Sequence, residues 1–184
     1  MLYLICIFIS MSLIATFNCL PVGAYSVGYI VFIDISSTIA VILIDATVAV
    51  IIRYIFPLSL FEADKMILSA SKNEKKLLEK LGIKKWKDKV PELGGFSSFH
   101  KDRIYNPKSV EYLKRFVAES NVGIICHVLG GLLGFSILLF RPFSMLLSVC
   151  LPIVIINLLL NALPAEVLRY NLYKLRKLVE LYHC

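Results

Sequence analysis

Between Val122 and Phe140 the chain carries no charged residue, and inside that run stands His127. About 19 residues make roughly 28 Å of α-helix, enough to cross the hydrocarbon of a bilayer. An ionisable side chain in such a run is costly to keep there, so His127 is a functional-site candidate from the outset. The approach to the run is a different kind of helix. Asn106 followed by Pro107 reads as an N-cap with proline at the first helical position. Val110, Leu113 and Val117 recur at helical spacing, with Lys108, Glu111, Lys114 and Arg115 opposite. Glu119 sits where the charged part gives way to the apolar part.

Three more apolar runs share the chain, at residues 2–20, 28–53 and 143–163. With 58% hydrophobic residues, this composition excludes an ordinary soluble domain. The pattern predicts an all-α integral membrane protein, a single membrane domain over 1–184. It has four transmembrane helices (2–20, 28–53, 120–140 and 143–163), a cytoplasmic segment at 57–118 and an amphipathic C-terminal helix at 166–182. Amphipathic interfacial helices lie on its cytoplasmic side. No basic stretch precedes the first run, which favours a span over a cleaved signal peptide. Cys19 follows no lipobox, and Pro21, Val22 and Gly23 make the turn.

Charge placement sets an orientation. Every Lys and Arg but Arg141 is at Arg53, between Lys65 and Arg115, or between Arg169 and Lys177. The positive-inside rule then puts the loop and the tail in the cytoplasm, in a multi-pass protein of the cell membrane with both termini cytoplasmic. The net charge of +7 is what loops beside anionic headgroups carry, and nothing points to nucleic acid. The five cysteines have no paired spacing, so neither a disulfide framework nor a metal site is expected.

Within the second run, Asp34 and Asp45 are almost three helical turns apart and share a face. Asp34 is read either as hydrated near the outer surface or as buried. Asp45 lies roughly 12 Å of helix from Arg53, and His127 lies about as far beyond Glu119. Equal depth makes Asp45 a candidate partner for His127. In the last run Pro152 is a potential kink, and Asn157 and Asn161 sit one turn apart; such asparagines often only join helices. Gly123, Gly130, Gly131 and Gly134 suit close helix packing.

The cytoplasmic segment reads as an amphipathic helix over Phe61–Leu81, with Met66, Ala70, Leu77, Leu78 and Leu81 on its apolar side. Gly82 ends it. Beyond Gly82, Pro91, Gly94 and Gly95 break any regular element. Trp86 among lysines suits the headgroup layer, as an anchor or as part of a loop closing over a lipid-like substrate. After Pro164 a last helix carries Leu168, Leu172, Leu175 and Val179 on one side. Arg169, Lys174, Arg176 and Lys177 take the other.

Catalytic fingerprints such as GxSxG, HExxH, the P-loop and GxGxxG are absent. Three stretches instead form a pattern: KKWKDKVPELGGF from Lys84 to Phe96, Glu119 with His127 eight residues on, and Asn161 with Arg169-Tyr170-Asn171 starting eight residues later. In order and separation over roughly 84–176 this resembles the glycosyl-4,4'-diaponeurosporenoate acyltransferase family. Departures are RYNLYKLRKL where the family continues RYNRPRL, Leu168 in place of a glutamine, and Ile124 in place of a second acid.

The resemblance implies transfer of a fatty acyl group from a thioester, such as acyl-CoA as co-substrate, to a hydroxyl of a lipid-like acceptor. The acceptor is a glycosylated isoprenoid or another lipid. No resident cofactor or metal is implied, and the partners are membrane lipids. Such chemistry needs a base, oxyanion donors and a site screened from water. His127 is the base, Glu119 or Asp45 its supporting acid, and Asn161 an oxyanion donor. Trp86, Lys87, Arg169, Tyr170 and Asn171 are the substrate-binding residues. On one straight helix Glu119 and His127 are roughly 12 Å apart, so Glu119 either serves the substrate or requires a bend at Gly123. Competing readings are a non-enzymatic accessory or lipid-binding protein, and a lipid-modifying hydrolase on the same scaffold.

Overall fold

The computed structural model describes residues 2–19, 25–62, 65–90, 105–106 and 108–182, and all regular structure among them is helical. The elements are α1 (Leu2–Cys19), α2 (Val27–Ile55), α3 (Lys72–Lys80), α4 (Ile83–Trp86), α5 (Val110–Leu133), the short α6 (Phe143–Met145) and α7 (Leu151–Tyr182). The turn expected at Pro21–Gly23, the N1 role of Pro107 and the breakers Pro91, Gly94 and Gly95 lie outside the described residues.

Among the described residues three helical stretches are long and apolar enough to cross a membrane: Val27–Ile55, Val110–Phe140 and Phe143–Arg176. A third or less of the most apolar window in each is buried (28%, 33% and 33%), so lipid must cover the remainder. Of the four spans expected, these three are long enough among the described residues, and the first falls short. The apolar part of α1, Ile5–Cys19, gives only about 22 Å of helix against a hydrocarbon thickness of about 30 Å.

The chain forms two compact units, Met1–Val48 with Leu129–Asn161, and Ala49–Val128 with Ala162–Cys184. The first contains only three charged residues, Asp34, Asp45 and Arg141. Its core joins Ile14, Ile30, Ile33 and Val41 to Ile137, Met145, Val149 and Val154. Between α5 and α7 the backbone changes its winding twice, as a 3-10 segment over Gly134–Phe140 and a π turn over Leu146–Cys150. Proline sets the end of the first segment and accounts for the second. Pro142 holds Arg141 extended (φ −113°, ψ 153°), which ends the first helix. Pro152 has no N–H for the Ser148 carbonyl, and Asn18 Nδ2 donates to that carbonyl instead at 2.8 Å.

The second unit is built on Leu113, Phe116, Val117 and Ile124 of α5, packed against Leu168, Leu172, Leu175 and Val179 of α7. This is the apolar stripe expected for the C-terminal helix. Two boundaries differ from expectation. The helix continues through Pro164, since the fixed φ of proline fits a helix and costs one hydrogen bond. And α5 starts at Val110, capped by Ser109, whose Oγ accepts from the Tyr112 N–H at 3.2 Å, in place of Asn106.

The helix expected over Phe61–Leu81 is reduced to Lys72–Lys80. Asn121, fully buried on α5, donates Nδ2 to the carbonyls of Phe61 (2.8 Å) and Met66 (2.9 Å), and its Oδ1 accepts the Leu68 N–H (3.0 Å). The Ala70 N–H goes to the Arg169 carbonyl at 3.0 Å. With its polar groups satisfied this way, the segment before Ser71 needs no helix. Ser71 and Glu74 then form a reciprocal capping box that starts α3. Gly82, in the left-handed region at φ 72°, ends this helical stretch as expected. The residues after it are not wholly irregular, since Ile83–Trp86 is helical and Lys87–Lys89 is a 3-10 turn.

Candidate active site

The first unit gathers its polar residues on α2 and α7. Asp45 and Asn161 meet there: Asn161 Nδ2 donates to Asp45 Oδ2 at 2.9 Å, and also to the Asn157 carbonyl (3.1 Å) and Asn157 Oδ1 (3.3 Å). Asn157 and Asn161 thus share a face, as their spacing suggested. The three glycines make room for them. A Cβ on Gly130 would stand 2.6 Å from Asp45 Oδ1, one on Gly134 2.7 Å from Asn157 Nδ2, and one on Gly131 3.3 Å from Asn161 Cβ. Small residues at these positions allow the close approach that buried polar pairs need. Asp34 is 2% exposed, so of the two readings for it the buried one holds. Ser37, three residues on, lies 3.9 Å from Cys150 Sγ in the π turn. Alongside, Ser10, Thr38 and Asn157 line a small recess of about 30 Å³ together with apolar residues such as Ile7, Ile14, Val41 and Ile153.

In the second unit, His127 is half-buried on α5. Glu119 is buried on the same helix, and its Oε2 accepts from Arg53 Nη2 at 3.1 Å. The α-helix runs unbroken through Gly123, so no bend brings Glu119 to His127, and the two stay about 12 Å apart along the axis. Glu119 is paired with Arg53.

The motif residues near the C-terminus are held by α3 and α4. Arg169 Nη2 lies 2.8 Å from Glu74 Oε2, and Nη1 lies 3.7 Å from Glu166 Oε1. Tyr170 is fully buried and its hydroxyl donates to Glu79 Oε1 at 3.2 Å. Leu78, Ile83 and Val167 pack around it, with Trp86 and Val90 against the cluster. Trp86 Nε1 donates to the Leu81 carbonyl at 3.1 Å, and Lys87 Nζ pairs with Asp88 Oδ1 at 2.8 Å. Asn171 is half-buried. The Glu79 carboxyl is held below its ordinary value by the Lys84 hydrogen bond, despite some desolvation, and Lys84 is raised by the same bond.

Thus Asp45 joins Asn161, and Trp86 joins Tyr170 with Arg169 close by. Sequence reasoning missed Asn121, Arg53 as the partner of Glu119, and the acids Glu74, Glu79 and Glu166. The Ser71–Glu74 capping box was a readable signal; for Asn121, a polar side chain near the start of an apolar run, the only signal was its cost there.

Such an all-helical protein, with buried carboxylates and amides along its apolar helices, belongs among the integral membrane proteins. The particular family follows from comparison with known proteins. The chain belongs to the glycosyl-4,4'-diaponeurosporenoate acyltransferase family, whose profile matches residues 57–181. That range contains Trp86, Glu119, His127, Asn161 and Arg169-Tyr170-Asn171. No curated protein and no solved structure matches.

Proposed function

We propose that this protein is a membrane-embedded acyltransferase with His127 as general base. It moves a fatty acyl group from a thioester donor, such as acyl-CoA, to a hydroxyl of a lipid-like acceptor, and the family name points to a glycosylated isoprenoid. The observation that carries the reading is family membership over 57–181, together with a half-buried histidine inside an apolar helix. In the reaction a neutral imidazole nitrogen takes the acceptor hydroxyl proton as the oxygen attacks the thioester carbonyl carbon. The tetrahedral oxyanion collapses, the C–S bond breaks, and the thiolate leaves with the proton returned by the imidazolium. The products are an ester and a free thiol. Arg169, Trp86 and Lys87 are proposed to position the donor, with Tyr170 and Asn171 beside them. Arg169 does so from its ion pairs with Glu74 and Glu166.

One observation favours a second reading, that of a non-enzymatic accessory or lipid-binding protein. Asn161 bonds Asp45 and Glu119 pairs with Arg53, as residues that join helices do. Lipid analysis of membranes from cells expressing wild type and His127→Gln at matched levels separates the two readings. An acylated lipid made by the wild type and lost in His127→Gln supports the transferase. Equal lipids in both, with the variant folded, leave the accessory role.

We also propose that α1 completes a fourth crossing, leaving the basic residues and both termini in the cytoplasm. Reporter fusions at the two termini test this orientation; termini on opposite sides would refute it.

A further inference from the structure

Helix α3 has two faces with different tasks. Its inner face is occupied: Glu74 holds Arg169, Leu78 is buried beside Ile83, Val167 and Tyr170, and Glu79 takes the Tyr170 hydroxyl. At about 100° per residue, the outer half presents Lys72, Lys76 and Lys80 in one row. Leu77 and the capping Leu81 form the next row. The leucines leave 56% and 63% of their surface exposed, and the three lysines are exposed as well. Among the described residues these lysines make no ion pair. The core does not need the two outer leucines, since the inner face already fills it.

We propose that this outer face of α3 docks on the anionic surface of the membrane in which the protein is inserted. A row of cations beside a row of leucines complements headgroup phosphates above acyl chains. The face is an open helix surface, which suits a bilayer rather than a soluble carrier. Tethering helps: α3 begins 17 residues after the end of α2, which keeps it at high effective concentration near the bilayer. The same nine-residue helix grips Arg169 and Tyr170 from its inner side, so docking would also steady those motif residues. The inference does not depend on the acyl-transfer reading.

Trp86 reports the event because it is the only tryptophan and its indole is bonded to the Leu81 carbonyl. Full-length protein is placed in nanodiscs of phosphatidylcholine alone or with about 30% phosphatidylglycerol, an anionic fraction large enough to set a surface potential. Some of the acyl chains are brominated, and Trp86 quenching is read without donor or turnover. Quenching should be stronger in the anionic discs. That difference should vanish in high salt and in Lys72→Gln/Lys76→Gln/Lys80→Gln, while Leu77→Ser/Leu81→Ser should weaken quenching in both lipids. All five positions are exposed, and circular dichroism checks that helix content is kept. Equal wild-type quenching in the two lipids, or no change in either variant, overturns the proposal. So does reversal of the anionic difference by soluble coenzyme A, which would give the face to the phosphates of a soluble donor.

Discussion

Replacing Gly130 with alanine puts a methyl carbon 2.6 Å from Asp45 Oδ1, 3.3 Å from its Cγ and 3.6 Å from Asn161 Oδ1. Real Cβ atoms do not sit that close, so the Asp45 carboxylate must turn away. It is not free to do so at no cost, because Oδ2 accepts from Asn161 Nδ2 at 2.9 Å. Interhelical hydrogen bonds in membranes average about 0.6 kcal/mol and reach about 1.7, and bonds to charged groups in general contribute about 1.5–3 kcal/mol. Alanine in a helix interior returns about 0.5–1 kcal/mol relative to glycine. The balance for Gly130→Ala is a loss of about 1 kcal/mol. Gly28→Ala is the control, since a Cβ there meets nothing within 4 Å, and it should gain up to about 1 kcal/mol from the helix effect alone. The assay is reversible unfolding in mixed micelles, followed by circular dichroism. A double-mutant cycle with Asp45→Ala completes it. Once the carboxylate is gone the added methyl has room and only the helix gain remains, so against the net loss of about 1 kcal/mol the pair should show about 2 kcal/mol of coupling. Additivity in the cycle, or Gly130→Ala as stable as Gly28→Ala, would refute the close-approach argument.

Asn121→Ala removes three hydrogen bonds at once, to Phe61, Met66 and Leu68. Unfolding should show a loss of about 2–4 kcal/mol from these backbone groups, and proteolysis between Phe61 and Ser71 should quicken; an unchanged cleavage rate there would contradict it. The Glu79–Lys84 pair predicts a pH response at α3. Glu79 sits below its ordinary 4.5, so its contribution is complete above that value and lost as pH falls through the lowered one. Lys84 sits above its ordinary 10.5, so its share is complete below 10.5 and lost only as pH rises through the raised value. Trp86 emission should therefore be flat between the two limits and shift in acid, and Glu79→Gln should remove the acid shift. A transition of the wild type near neutral pH would count against this assignment.

The uncharged runs, together with their helical length, were enough to establish a membrane protein of helices, because the cost of an unpaired backbone in hydrocarbon allows few other solutions. The stripe Leu168, Leu172, Leu175 and Val179 and the stop at Gly82 were equally legible, since helical periodicity and a left-handed glycine are local properties. The three motif stretches pointed to the family that the match over 57–181 shows. Tertiary structure decided the rest. Nothing local says that the backbone of Met66–Ala70 will be satisfied by Asn121 and by the Arg169 carbonyl instead of by a helix. Nothing local pairs Glu119 with Arg53, 66 residues away, or Asp45 with Asn161, 116 residues away. A buried polar group must find a partner wherever packing brings one. Sequence reveals which groups will need a partner, and only the packed chain determines which partner each one takes.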